Sequence, residues 1–334
     1  MADYRLSPKI ELHCHLDCSV RISTVSEIGN EIGLSLPDPI ERGLVAPEVC
    51  LELADYLRRI DLALEVMQQR KHLVRIAREF VEDLSADGVV YGEVRFAPQL
   101  HTREGLRLQE VLDAVNDGLA EGTRATRVQV GLILCCLRHD DPETSLSIAR
   151  LAIKNADIVC GLDLAGDEAR YSGAPHRAAF DLARSAGLHR TVHAGEARGA
   201  ESIQEAISLL GAERIGHGVR IEESPELVAN VCERGITLEI CPLSNYQTRA
   251  VSSLMSHPID RLLRKNVRVT VSTDARTVSQ TTVTSEFERL ERLFGWGLKE
   301  FSVCQQNAAA GAFVSPSTRS ELRARLHPEQ YPKG

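Results

Sequence analysis

The sequence predicts an α/β fold, a (β/α)₈ barrel with a helical insertion after its first strand. Three observations carry that expectation: eight short β-like runs follow one another, helical stretches separate most of them, and polar residues gather at the ends of the runs. The runs are Lys9–Leu16, Val89–Ala97, Gln129–Leu137, Ile158–Leu164, Arg190–Ala194, Arg214–Val219, Thr237–Cys241 and Arg268–Thr273. Most are rich in Val, Ile and Leu and nearly continuously apolar, as strands buried on both faces are. Spacers after the second to seventh runs show helical periodicity, for example Leu106–Gly122, Thr144–Ala156, Ala174–Ala186 and Ser202–Leu210. Strand, helix and strand in repetition give parallel strands with right-handed crossovers. Eight such units suggest closure.

The spacer after the first run is much longer, covering about 18–87. It holds an amphipathic stretch, Leu51–Met67, with Leu51, Ala54, Leu57, Leu62 and Leu64 among its apolar positions, and then a second helical stretch, Lys71–Ser85. An insertion there lies over the C-terminal mouth of a barrel, where it can close on a substrate. Helices are expected again over about 298–326, followed by a polar tail. Two doubly wound halves are a weaker reading, because the chain has no Pro/Gly/Ser-rich linker and no Gly-rich phosphate loop after a strand. The 334 residues are therefore read as one domain.

A formal charge of -8 argues against a nucleic-acid or anionic-membrane partner. No apolar run is long enough to span a bilayer and no signal peptide is visible. Nine scattered cysteines read as reduced thiols in a cytoplasmic protein. That leaves small molecules or other proteins as partners, and oligomeric state is not legible.

In such a barrel, function sits at the C-terminal ends of the strands. Run one ends in His13-Cys14-His15-Leu16-Asp17, run four in Asp163-Leu164-Ala165-Gly166-Asp167-Glu168, and run five in His193-Ala194-Gly195-Glu196. Runs six, seven and eight end in Gly216-His217-Gly218, Cys241-Pro242-Leu243-Ser244-Asn245 and Ser272-Thr273-Asp274. His13 and His15 are two apart and point the same way from a strand. Taken alone, that pair is as readily structural as metal-binding. With His193 and Asp274 added, three imidazoles and a carboxylate suit Zn²⁺ with a position free for water. Metal-bound water needs a group to take its proton, and His217 is the candidate. Glu196 is placed to protonate a leaving amine or ring nitrogen; its alternative role is to orient His193. Of the other histidines, His72, His139, His176, His189, His257 and His327 are expected at the surface, and His101 has the mouth as its functional alternative. Cys14 is expected to pack outward, and Cys18 finds no thiolate partners that would complete a metal set.

Taken in order, Lys9–Asp17, Asp163–Glu168, His193–Glu196, Gly216–Gly218 and Ser272–Asp274 resemble the adenosine deaminase family, and the likeness spans the chain. The stretch from Thr277, Thr-Val-Ser-Gln-Thr-Thr, resembles the version in some bacterial members. The resemblance implies one zinc held by His13, His15, His193 and Asp274, with His217 assisting the attacking hydroxide and Glu196 protonating purine N1. It also implies that the Gly166 N–H meets purine N3 and that Asp17 meets the ribose 5′-hydroxyl. Adenosine and 2′-deoxyadenosine would then give inosine and 2′-deoxyinosine plus ammonia. Two positions depart from the family pattern. Cys18 stands where Gly is usual and crowds the ribose region. Ala275 stands where Asp or Asn is usual, so the group that bonds purine N7 is missing from the substrate-binding set. The expectation is that N7 faces water or a neighbour such as Arg276, and that adenosine and its 7-deaza analogue react alike if nothing replaces the bond.

Two other classes compete with this reading. One is deamination of another amino-purine: adenine, an N6-substituted adenine or a modified nucleoside. The other is a non-catalytic binding protein on the same scaffold, which requires a broken site, whereas the core polar positions are present. A base-flipping nucleic-acid deaminase is disfavoured, because its His-x-Glu and Pro-Cys-x-x-Cys signature is absent.

Overall fold

The computed structural model describes residues 4–326; His327 and the polar tail lie outside them. Eight parallel strands neighbour one another in chain order, β1 to β8, with helices between them. They are β1 (Lys9–His15), β2 (Val89–Phe96), β3 (Gln129–Leu137), β4 (Val159–Ala165), β5 (His189–Ala194), β6 (Arg214–His217), β7 (Thr237–Ile240) and β8 (Arg268–Val271). The sixth run stops two residues early, because His217 and Gly218 take φ of 63° and 69° and turn the chain into a 3₁₀ segment.

Closure between β8 and β1 is made by the mouth residues themselves. Cys14 bridges Asp274, His15 N–H donates to the Asp274 carbonyl at 2.7 Å, and Asp274 N–H donates to the His13 carbonyl at 2.9 Å. A register shift between Glu11 and Cys14 in the β1–β2 ladder precedes this bridge; such bulges re-aim side chains at barrel rims.

The middle of the barrel is filled by charge. Arg95 donates to Asp163 at 2.9 Å and to Glu239 at 2.8 Å, and Arg214 pairs with Glu239 and Glu93, both at 2.5 Å. All five side chains are buried. Phe313, after the helix Leu298–Gly311, lies 3.6 Å from the Arg214 guanidinium and stacks on His189, and its N–H donates to Glu93. The aliphatic core, including Leu16, Val94, Leu134, Leu164 and Val192, is one large apolar cluster that takes in residues of the strands and the surrounding helices.

The insertion contains α1 (Ile22–Glu31), α2 (Glu41–Leu44), α3 (Leu53–Leu57), α4 (Asp61–Val66) and α5 (Arg70–Ala86). The amphipathic stretch 51–67 is thus not one helix but α3 and α4 joined by a 3₁₀ turn at Arg58–Ile60. His72, His176 and His257 are buried, contrary to the surface expectation. His176 is satisfied by the Ser145 hydroxyl and the Arg138 carbonyl, and His257 meets Asn245 and the Ile259 N–H. His139 is exposed, as expected, whereas His189 is half-buried at the start of β5, bonded to Glu213 and stacked on Phe313. No helix is long and apolar enough to cross a membrane among the described residues, and all nine cysteines are free.

Candidate active site

A cavity of about 300 Å³ opens at the C-terminal ends of the strands. Its floor includes His15, Asp17, His193, Glu196, His217 and Asp274, and its opposite wall comes from α3, α4 and the turn between them.

His13, His15, His193 and Asp274 converge, each offering one ligand atom within 4.8 Å of the others. His15 Nε2 faces His193 Nε2 at 3.1 Å, and Asp274 Oδ1 lies 3.4 Å from His13 Nε2 and 3.5 Å from His15 Nε2. The outward atoms are tied down. His13 Nδ1 meets Glu239 at 2.7 Å, His193 Nδ1 meets Asp163 at 3.1 Å, and Asp274 Oδ2 accepts from Ser244 at 2.6 Å. Carboxylates behind imidazoles fix the tautomer that turns Nε2 inward. His13 Nε2 is buried without a hydrogen-bond partner, and such an atom needs a ligand. Three inward Nε2 atoms and one carboxylate oxygen fit a divalent N/O-binding cation such as Zn²⁺.

Burial and neighbouring charges act differently on the members of that set. Burial, then the Arg95 and His193 charges, lowers His13 to about 4, so its ring is neutral. Burial opposes ionisation of Asp274, yet the surrounding His13, His217 and His15 rings hold it well below the usual carboxylate range. For His193, burial favours the neutral ring, but the Asp163 carboxylate outweighs it and the net shift is upward. Both Asp274 and His217 adopt positive φ, 64° and 63°, a sparsely populated conformation for non-glycine residues that clusters at working sites.

Glu196 and His217 stand beside the cluster, their Oε2 and Nε2 atoms 3.6 Å apart. Burial raises the Glu196 carboxyl, with Asp274 adding to it and His217 opposing. Asn245 fixes the His217 tautomer. Its Oδ1 accepts from the Cys241 N–H at 3.3 Å, which leaves its Nδ2 to donate to His217 Nδ1 at 2.9 Å. The ring proton therefore sits on Nε2, toward the cavity, so the neutral ring is a donor there and not the proton acceptor that the sequence suggested.

Glu168 closes the Asp163–Glu168 motif after β4. Its carboxylate accepts from the N–H groups of Gly195, Glu196, Ala197 and Arg198 at 2.7, 2.9, 2.6 and 3.1 Å, and so shapes the turn that carries Glu196. Gly195 makes that turn with φ of 71°.

Asp17, Gly166 and Cys18 line the cavity. Burial raises Asp17 to about 6. Gly166 needs its glycine, having φ of 97°. Ala275 is fully buried and packs with Tyr56, Cys50 and Val278 beside Cys18, off the cavity surface. Arg276 is turned away, pairing with Glu11 and Asp87, which removes it as the neighbour expected to meet the substrate. His101 is buried against the Met67 carbonyl and Phe96 and does not line the mouth.

The sequence model of the adenosine deaminase family matches residues 8–328. The chain belongs to the adenosine deaminase family. It is accordingly an enzyme, a hydrolase acting on C–N bonds in cyclic amidines, of a metal-dependent family that works on small purines. Adenosine deaminases of Clostridium botulinum (strain Kyoto) and Clostridium acetobutylicum are 38% and 36% identical, with 96% of this chain and 98% and 97% of theirs covered. Among solved structures, an adenine deaminase from Arthrobacter aurescens has a TM-score of 0.90 at 26% identity, covering 96% of this chain and 98% of that one. An amidohydrolase from Burkholderia ambifaria with bound Zn has a TM-score of 0.90 at 25%, covering 98% and 91%. The N6-mAMP deaminase of Arabidopsis has 0.87 at 26%, covering 97% and 98%.

Proposed function

We propose that the enzyme hydrolytically deaminates adenosine and 2′-deoxyadenosine, with one Zn²⁺ per chain held by His13, His15, His193 and Asp274. The convergence of those four residues with Glu196 and His217 in a single cavity carries this reading. Its likeness to a Zn-bound neighbour and to relatives named adenosine deaminase supports it. When bound, such an ion acidifies a coordinated water to near-neutral pH.

The protein's own groups do the rest. Glu196, whose carboxyl burial pushes upward, gives its proton to purine N1 and makes C6 electrophilic. His217 holds the incoming oxygen by donation from Nε2. Water oxygen adds at C6; of its two hydrogens one goes to N6 and the other restores the Glu196 carboxyl, so that the C6–N6 bond breaks, ammonia leaves and inosine forms with C6=O and N1–H. Asp17 and Gly166 are proposed to contact the ribose and the purine edge. The 334-residue chain is proposed to act as one unit in the cytoplasm, independently of nucleic acid.

A nucleoside is favoured over a nucleotide by charge. The cavity presents Asp17, Asp61 and Asp167, while its arginine, Arg58, is pledged to Asp55 at 3.0 Å. A second reading, another amino-purine, is favoured by Ala275 and Cys18 together with the adenine deaminase neighbour. Ammonia release from adenosine, 2′-deoxyadenosine, adenine, N6-methyladenosine and AMP separates them. The highest kcat/KM is expected for the two unmodified nucleosides. A preference for adenine, AMP or an N6-substituted compound would replace this reading.

A further inference from the structure

Tyr56 lies on α3, far from the strand ends in sequence, yet 4% exposed and on the cavity wall. It packs in one small cluster with Ala275, Cys18, Cys50 and Val278. Its hydroxyl is 2.6 Å from the Ser279 hydroxyl, and either can donate in that pair. The wall around it is apolar, with Leu53, Leu57 and Leu64. Tyr56 is the one phenol among the described lining residues.

The chemistry of the substrate says what such a hydroxyl can meet. In an amino-purine, C6 is flanked by N1 on one side and by C5, which carries N7, on the other. With C6 at the cluster and N1 at Glu196, N7 points to the far side of the cluster. Glu196 follows β5 and stands beside His217 at the end of β6; Tyr56 packs instead on Ala275, just past β8, and on Cys18, just past β1, with its hydroxyl on Ser279. The two groups thus border the cluster on different sides. N7 is an acceptor, and the side facing it has lost both alternatives: Ala275 carries no polar atom and Arg276 is held by Glu11 and Asp87.

We propose that Tyr56 is the specificity-determining hydroxyl of this pocket, accepting from Ser279 Oγ–H and donating its own hydrogen to purine N7. A side chain from the insertion thereby does what position 275 does not. This rests on the amino-purine deaminase reading given above.

The test compares kcat/KM for adenosine and for 7-deazaadenosine, in which a C–H replaces N7, in the wild type, Tyr56→Phe and Ser279→Ala, with metal content and melting temperature as controls. The wild type is expected to favour adenosine by about 5- to 150-fold, the worth of one buried hydrogen bond. Tyr56→Phe should lose that factor on adenosine, keep its activity on the 7-deaza compound and retain its metal. Ser279→Ala should move the same way by less. A wild type that deaminates both compounds equally overturns the role of Tyr56 and leaves the deaminase reading standing, and needs no variant to fold. A Tyr56→Phe enzyme that keeps the preference does the same. A wild type that releases no ammonia from either compound overturns the substrate reading and this inference together.

Discussion

The strand wall of the cavity and the helical wall facing it are held in different ways. On the strand wall, His13, His193 and Asp274 each have their outward polar atom fixed by a buried partner, and two of those partners, Glu239 and Asp163, are joined through Arg95. On the helical wall, Leu53, Leu57 and Leu64 offer apolar surface. Buried ionic networks gain their energy from geometry, and losing one member strands the rest. Apolar contact is nondirectional and tolerates small shifts. Chemistry therefore belongs to the first wall, and fit to the second.

The largest effect should come from the cluster. His193→Ala and Asp274→Ala should lose metal and activity together, to the floor of the ammonia assay; a metal-free variant that kept turnover would break the division. Arg95→Met leaves Asp163 buried without its cation and Glu239 with Arg214 alone. It should cost about 3–5 kcal/mol in urea unfolding and weaken metal affinity about 10- to 100-fold in chelator competition. Glu196→Gln keeps size but has no proton to give. Its kcat should fall at least ~10²-fold with the metal retained.

A smaller effect is expected at His257, which stands behind Asn245 and so behind His217. Burial, with Arg261 adding to it, lowers this ring to about 3 from an ordinary 6.5. Between those values the folded chain binds fewer protons than the unfolded one. The contribution is fully present above 6.5 and is lost as pH falls through the window. Between about pH 7 and pH 5, wild-type stability should drop by about 2 kcal/mol more than that of His257→Gln, read from urea midpoints. The smallest effect belongs to the helical wall. Leu57→Ala should raise KM a few-fold, as the loss of roughly 1 kcal/mol of apolar contact does, with kcat and metal content unchanged.

Legibility in the sequence followed the same division. The strands were readable because burial on both faces leaves apolar runs, and the ligands because they sit at the ends of those runs. Arg95, Asp163 and Glu239 had a signal that went unread: a charge inside a buried strand must have a partner. Glu168 was visible in its motif, but four amide contacts to one carboxylate exist only once the turn at 195–198 has formed. The insertion was legible as helical but not in its pieces. α1, Ile22–Glu31, mixes β-branched residues with Gly29 and carries little propensity. Tyr56 was out of reach, because nothing local links α3 to Ala275 and Ser279.

The most direct measurement strips the metal with a chelator and titrates Zn²⁺ back while following ammonia release from adenosine. Activity should be absent in the stripped protein and rise linearly to a break at one equivalent per chain. A well-folded protein with full activity and no transition metal would contradict the assignment of His13, His15, His193 and Asp274.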